Sequence, residues 1–429
     1  MLGSSIIELE IVESVTAVAA SEWDRLAGDH DPFLEHAFLA ALEASGSVGE
    51  AAGCVPRIVL ARDGAGNGSR LVGAVPLYLK TNSYGEFIFD WAWANAAHRS
   101  GVRYYPKLVA AIPFTPATGR RLPLDDAPGV DAPAIVEALL RGVREVAEEE
   151  QASSIHFLFC TDAEKEVLSA RGYFPRLSMQ FHWHNRPGRP FESFEDYLST
   201  FRSQNRKQVR KERRVAAEHG LTFRTATGAE LETRDWTALR AFYVENVDRH
   251  GGHAYLSAEF FEIARETLGH RLVATLAYQG KKPVAGTINF EKGAHLYGRY
   301  WGCLADFQML HFELCYYQLI ERAIAKGMTR FEAGAQGEHK LKRGLAPAFT
   351  HSAHWIRHPG LAEAIGSFLV REAEGVAAEV VEYAAHSPFR ASDDPEPTLA
   401  GATREDATAA DDMLAAITQA RASRKKPPF

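Results

Sequence analysis

The stretch Lys282-Pro283-Val284-Ala285-Gly286-Thr287-Ile288-Asn289-Phe290-Glu291-Lys292 passes through Gly293 into His295-Leu296-Tyr297-Gly298-Arg299-Tyr300-Trp301. Two apolar, β-branched and aromatic runs joined by a short Gly-containing turn predict a β-hairpin whose second strand ends on Trp. The same pattern lies earlier in the chain. Arg70-Leu71-Val72-Gly73-Ala74-Val75-Pro76-Leu77-Tyr78-Leu79-Lys80 leads through a polar turn into Glu86-Phe87-Ile88-Phe89-Asp90-Trp91. Val72 and Val284 are 212 residues apart, Trp91 and Trp301 are 210 apart. The segments after the two hairpins match as well. Residues 132–150 place Ile135, Leu139, Leu140, Val143 and Val146 at helical spacing, and residues 153–159 then read as a buried strand. In the second half, residues 310–326 put Leu314, Cys315, Leu319, Ile320, Ala323 and Ile324 on one broad face. Gly327 is placed to end that helix in the left-handed conformation, and residues 328–331 read as the matching strand.

This echo predicts a duplicated α/β chain of mixed sheets. The expected domains are residues 1–185, with an insertion at about 94–129 rich in Pro, Tyr and Arg, and residues 186–387. Arg186-Pro187-Gly188-Arg189-Pro190 supplies the break between them. Residues 388–429 turn to Ala, Asp, Thr and Pro and read as a disordered tail with one weak helix at 406–420.

A length of 429 residues suits two domains of ordinary size. No run of about 18 apolar residues occurs, and residues 1–10 lack the basic and apolar segments of a secretory signal. Cys54, Cys160, Cys303 and Cys315 lie far apart without a C-x-x-C pair, which excludes a disulfide framework and a zinc module and suits a reducing cytoplasm. Forty-eight Lys and Arg against 55 Asp and Glu give a net charge of −7, which excludes a globally basic nucleic-acid coat but not a local patch.

Reactive groups concentrate in Phe331-Glu332-Ala333-Gly334-Ala335-Gln336-Gly337-Glu338-His339-Lys340-Leu341-Lys342-Arg343-Gly344, directly after a predicted strand. Glu338 and His339 suit general base and acid, while Lys340, Lys342 and Arg343 suit an anionic group. The other reading is a solvated loop. His311 and Glu313 at the start of the second-half helix are further catalytic candidates, although a carboxylate there is also explained by the helix dipole. No P-C-x-x-C accompanies His311-Phe312-Glu313, and His182, His184, His351, His354 and His358 lack a carboxylate or thiolate set, so no metal site is expected. The run from Arg202 to Arg214 holds seven cations and one acid in the sequence RSQNRKQVRKERR, with Arg206, Lys207 and Arg210 at its centre. It reads either as a surface for phosphate or RNA, or as a solvated helix paired with acids such as Glu195 and Asp196. In the insertion, Tyr105, Lys107 and Thr115 are substrate-binding candidates. Phosphate-binding Gly-rich loops and the G-x-S-x-G elbow are absent.

The hairpin ending Tyr297-Gly298-Arg299-Tyr300-Trp301, the helix, Gly327, Phe331-Glu332-Ala333-Gly334 and the loop Lys340-Leu341-Lys342-Arg343-Gly344 resemble the second domain of FemAB-type acyltransferases. Asn205-Arg206-Lys207-Gln208-Val209-Arg210-Lys211 is similar to that family's basic helix. Tyr84-Gly85-Glu86-Phe87, Pro113-Phe114-Thr115-Pro116 and Gly334-Ala335-Gln336-Gly337-Glu338-His339-Lys340 carry the resemblance over most of residues 1–385. It implies tandem GNAT-like domains, each a mixed sheet with helices on both faces. It further implies N-acyl transfer to an amine acceptor such as a cell-wall precursor, with no tightly bound cofactor. The pyrophosphate loop [QR]-x-x-G-x-[GA] does not precede Leu310, where residues 304–309 stand instead, so the donor stays open between acyl-CoA and aminoacyl-tRNA. Transfer chemistry would engage Arg299, Tyr300 and Trp301 beside Lys340, Lys342 and Arg343. A non-catalytic RNA- or anion-binding protein on the same scaffold is the alternative.

Overall fold

The computed structural model describes residues 7–64, 69–127, 129–334, 337–390 and 415–419, without the Glu338 side chain. Expectations for residues 391–414 and 420–429 of the tail lie outside the described residues. Two compact units emerge. One contains the chain up to Ser178 together with Thr350–Val376 and residues 415–419, the other contains Met179–Phe349 and residues 377–390.

In the first unit, Ile7–Val12, Ile58–Asp63 and Arg70–Val75 form a three-stranded antiparallel sheet. Pro76 then breaks the run read as one strand. It has no N–H to give a ladder, and beyond it Leu77–Lys80 pairs in a different sheet, between Cys54–Pro56 and Lys107–Ala110. Lys107–Ala110 runs parallel to Ser154–Cys160, and the helix Ala132–Glu149 makes the crossover such a pair requires. Residues 351–356 close this set antiparallel to Ser154–Cys160. The helix starts where the Asp131 carboxylate accepts from the Ala134 N–H at 3.1 Å. Its buried stripe of Ile135, Leu139, Val143 and Val146 packs on Val59, Val72, Leu108, Ile155 and Phe157. Leu139 and Val143 are fully buried, each stabilising by about 1.5–3 kcal/mol through area removed from water.

One expected strand is absent. Residues 86–90 form no strand and Trp91–Arg99 is a helix, so the antiparallel partner of Leu77–Lys80 is Lys107–Ala110. The physical reason is a fully buried ammonium. Lys107 Nζ donates to Glu86 at 2.8 Å and to Asp90, which holds both carboxylates in a loop around it. The Ala-rich run after Asp90 then has helix-forming residues and ends on His98 and Arg99, favourable at a helix C-terminus.

The second unit keeps the expected order. Thr222–Thr227, Leu272–Gln279, Lys282–Lys292 and His295–Cys303 are successive antiparallel neighbours. His295–Cys303 runs parallel to Arg330–Glu332, which pairs antiparallel with residues 182–184. The crossover helix comes in pieces: Leu310–Phe312, a π-helical turn Glu313–Tyr317, then Gln318–Ala325. Gly327 has φ 63° and ends it as expected. Its N–H donates to Ile324 O at 3.0 Å and that of Met328 to Ala323 O at 2.8 Å, the two bonds of a Schellman cap. Leu319, Ile320 and Ala323 pack on Leu296, Phe331 and Trp183, and Phe389 on Phe201. Each unit thus takes its closing strand, residues 351–356 or 182–184, from the other half of the sequence.

Candidate active site

The parallel ladder of the second unit runs His295↔Arg330, Leu296↔Phe331, Tyr297↔Glu332 and ends there, while the His295–Cys303 strand continues to Cys303. The shorter strand stops at Glu332, and a cluster of side chains gathers beyond that end of the ladder. Trp301 on one strand meets the His311 ring at 5.2 Å. The His311 ring lies 5.5 Å from Tyr316 and 6.0 Å from His339. Tyr316 OH and His339 Nε2 are hydrogen-bonded at 3.0 Å. Lys340 Nζ donates at 2.9 Å to Gly334 O, two residues past the other strand. The π-helical turn has a local consequence here. Its extra residue changes which side chains share a face, so His311, Phe312 and Tyr316 all pack around His339.

Two features of this cluster set its electrostatics. His311 is pushed down to about 4, first by burial and then by the neighbouring His339, Arg343 and Lys340. Burial and the same cations lower His339 as well. Both imidazoles are therefore neutral at pH 7 and able to accept a proton. Lys340 is 3% exposed and no carboxylate pairs with it among the described residues. Burial alone holds its ammonium down at about 8.

The neighbouring charges are spent on structure. Arg343 Nη2 donates to both oxygens of buried Glu212 at 2.9 and 2.8 Å, its guanidinium lies 3.3 Å from the Phe312 ring centre, and Tyr317 OH donates to Glu212. This fastens the loop to the helix Ser203–Glu218. Gly344, at φ 82°, lets Tyr197 OH reach Arg343 O at 2.8 Å; a Cβ there would collide with that hydroxyl. Glu313 is buried and accepts from Arg213 at 2.9 and 3.1 Å and from Gln318 at 2.7 Å, so its oxygens are already engaged.

The other candidate residues fall in several places. Lys342 is exposed. Arg299 donates to Gly298 O at 2.8 Å and lies over Tyr297. Tyr300 packs on Tyr243 at 4.8 Å, on the opposite face of the strand from Trp301. On the basic helix, Arg206 is half-buried against Phe201 O, Lys207 is exposed, and Arg210 pairs with Glu195 at 2.5 Å. Tyr105, Lys107 and Thr115 belong to the first unit. Tyr105 bonds Ser83 at 2.7 Å, and Lys107 is enclosed by Glu86, Asp90 and Ser83. Sequence reasoning missed Tyr316, because the π-helical turn that aims it leaves no sequence period. Glu212, the single acid in the basic run, was the available signal for the Arg343 pair.

A profile of the FemAB-like family, described as peptidoglycan biosynthesis/recognition, matches residues 14–391. The chain belongs to the FemAB-like family. Membership gives the coarse class, a transferase associated with peptidoglycan biosynthesis or recognition. No curated protein matches the sequence. Among solved structures, one of FemX is 13% identical with a TM-score of 0.49, over 81% of this chain and 98% of that one. The C-terminal domain of a putative lysylphosphatidylglycerol synthetase from Agrobacterium fabrum is 10% identical with a TM-score of 0.45, over 80% of this chain and 91% of that one. A tandem GNAT protein from the clavulanic acid biosynthesis pathway is 11% identical with a TM-score of 0.42, over 82% and 99%. Among the described residues no helix is long and apolar enough to cross a membrane.

Proposed function

We propose that this FemAB-like chain is an N-acyltransferase that moves an acyl or aminoacyl group from acyl-CoA or aminoacyl-tRNA to an amine, with a cell-wall precursor as the acceptor. The observation that carries this reading is the side-chain cluster beyond the end of the parallel ladder, where neutral His311 and His339, Tyr316 and the buried Lys340 lie together. Amine attack on a thioester or ester carbonyl needs a base for the amine proton and a donor for the oxyanion. His339 is exposed, neutral and fixed by Tyr316, so it takes the amine proton as the C–N bond forms. Lys340, with one N–H given to Gly334 O, keeps further donors for the oxyanion. Collapse of the tetrahedral adduct breaks the bond to the leaving thiolate or ribose oxygen, which takes up a proton.

The Glu338 side chain lies outside the described residues, and its expected base role passes here to His339. Glu313, held by Arg213, acts as a structural group. The exposed Lys207 and Lys211 offer a phosphate contact for a tRNA donor. The test is transfer from radiolabelled aminoacyl-tRNA and acyl-CoA to amine acceptors including cell-wall precursors. His339→Ala and Lys340→Met should each lower kcat at least about a hundredfold. Near-normal turnover in both variants removes the assignment. Steep salt-dependent RNA binding without any transfer establishes the non-catalytic alternative instead.

A further inference from the structure

Three aromatic side chains of the first unit stand out of its core. Among the described residues the exposed large aromatics are Tyr84, Phe89 and Trp91, all within eight residues. Scattered apolar groups on a surface are ordinary, whereas a concentrated group marks a place of contact. The Tyr84 and Trp91 rings meet with centroids 5.4 Å apart and planes at 65°, so they form an open corner. The same stretch does bury apolar groups where the core takes them. Ile88 and Trp93 are 5% and 3% exposed, against 54% for Tyr84 and 40% for Trp91.

The rings are held outward by the fold itself. Lys80 Nζ donates to Tyr84 O at 2.9 Å, and Arg176 Nη1 donates to Phe89 O at 3.0 Å. Between these points Lys107 engages Glu86 and Asp90, and Tyr104 OH donates to Asp90 at 2.5 Å. Phe87 sits at φ 58°, a left-handed conformation that is unfavourable for a bulky side chain. Buried cations and local strain thus fix the path of residues 84–91, and strain of this kind concentrates where ligands are held. A surface fixed in advance loses little freedom on binding.

Charge and size decide what fits. The charged residues of the stretch 81–97 are Glu86 and Asp90, and both are turned inward onto Lys107, so the stretch presents no charge to solvent. Asn95 is exposed one turn beyond Trp91 on the same helix face, with an amide able to donate and accept. A bilayer is a poor match. Anchoring rings reach about 5–10 Å into the head-group boundary with Lys and Arg beside them, whereas Tyr84 and Trp91 are each about half covered by protein. A stable protein partner covers roughly 800 Å², far more than two rings. Pyranose units match in both size and polarity, because their C–H faces pack on aromatic rings while their hydroxyls bond to an amide. We propose that Tyr84, Trp91 and Asn95 form a binding surface for a neutral oligosaccharide, its C–H faces on the two rings and its hydroxyls on the Asn95 amide. Plain and acetamido sugars share this chemistry. The surface is built from first-unit residues alone and is independent of the transfer chemistry, which belongs to the second unit.

The test is ligand-detected NMR titration of the full chain with cellotriose, chitotriose and trigalacturonate, alongside sedimentation with vesicles of phosphatidylcholine and phosphatidylglycerol. Saturable binding of a neutral trisaccharide is expected, chitotriose marking acetamido sugars and cellotriose plain ones. Trp91→Ala and Tyr84→Ala, both at exposed positions, should each weaken it about five- to tenfold with Tm unchanged, and Asn95→Ala about threefold. Trp91→Phe keeps a ring and should retain most of the affinity. Absence of binding by both neutral sugars overturns the proposal. So does tighter binding of trigalacturonate, sugar binding unchanged in both ring-to-Ala variants, or vesicle binding or self-association that Trp91→Ala abolishes.

Discussion

Replacing Lys340 by Met should stabilise the protein while abolishing transfer. The side chain is 3% exposed, and its only hydrogen bond among the described residues goes to Gly334 O. Burial brings its ammonium down from 10.5 to about 8, so keeping it charged in the folded chain costs about 3 kcal/mol. The folded pKa lies below the unfolded one, so between about pH 8 and 10.5 the unfolded chain binds more protons. Stability from this group therefore rises with pH through that window and is at its lowest, by the full amount, at pH 7. Met keeps most of the volume and removes the charge, at the loss of one hydrogen bond of about 1 kcal/mol. Lys340→Met is then expected to gain about 2 kcal/mol at pH 7 and to lose that advantage as the pH approaches 10.5. Urea denaturation of both proteins at pH 7 and pH 9.5, with transfer assays on the same samples, reads both halves. A variant clearly less stable than the parent at pH 7 would show a compensating partner for the ammonium and refute the reasoning.

Further outcomes rest on the same contacts. Burial and nearby cations lower His339 and burial holds the Lys340 ammonium at about 8, so kcat/KM should fall on the acid side as His339 is protonated and fall again above about pH 8 as the oxyanion donor loses its charge; a loss of activity between pH 8 and 7 would contradict a depressed base. Arg343→Met leaves the buried Glu212 carboxylate without its bidentate partner and should cost about 3–5 kcal/mol, read as a lower Tm, with a smaller loss when Glu212→Gln is added. Glu313→Gln, next to Arg213, should lower Tm but change kcat less than about threefold; a hundredfold loss of kcat would return Glu313 to the chemistry. Leu139→Ala in the first unit's core should cost about 2–5 kcal/mol in chemical denaturation, and a cost under 1 kcal/mol would mean the helix stripe is not packed as described.

The duplication, the hairpin at 282–303, the helix at 132–149 and the Gly327 stop were all written locally. Apolar spacing, turn glycines and caps act within a few residues, so composition along the chain suffices to read them. The same local reading failed at residues 86–91. There a strand-like run is drawn into a loop by an ammonium that lies 21 and 17 residues away in sequence, at Lys107. Local preference yields when a buried charge demands carboxylates.

The chemistry divides along the same line. Residues 338–343 visibly hold an acid, an imidazole and three cations, and the 202–214 run is visibly basic. Only the folded chain distinguishes those cations. Arg343 is consumed by Glu212, Lys342 faces solvent, and Lys340 is buried with its charge unshared. Proximity along the chain sets which groups travel together, whereas protonation and partnership depend on solvent exclusion and on groups brought from distant segments. The doubled α/β plan and the places where reactive groups concentrate were thus legible from residue order. Which of those groups remain available emerged with folding, because desolvation and pairing are properties of the surroundings rather than of the residue.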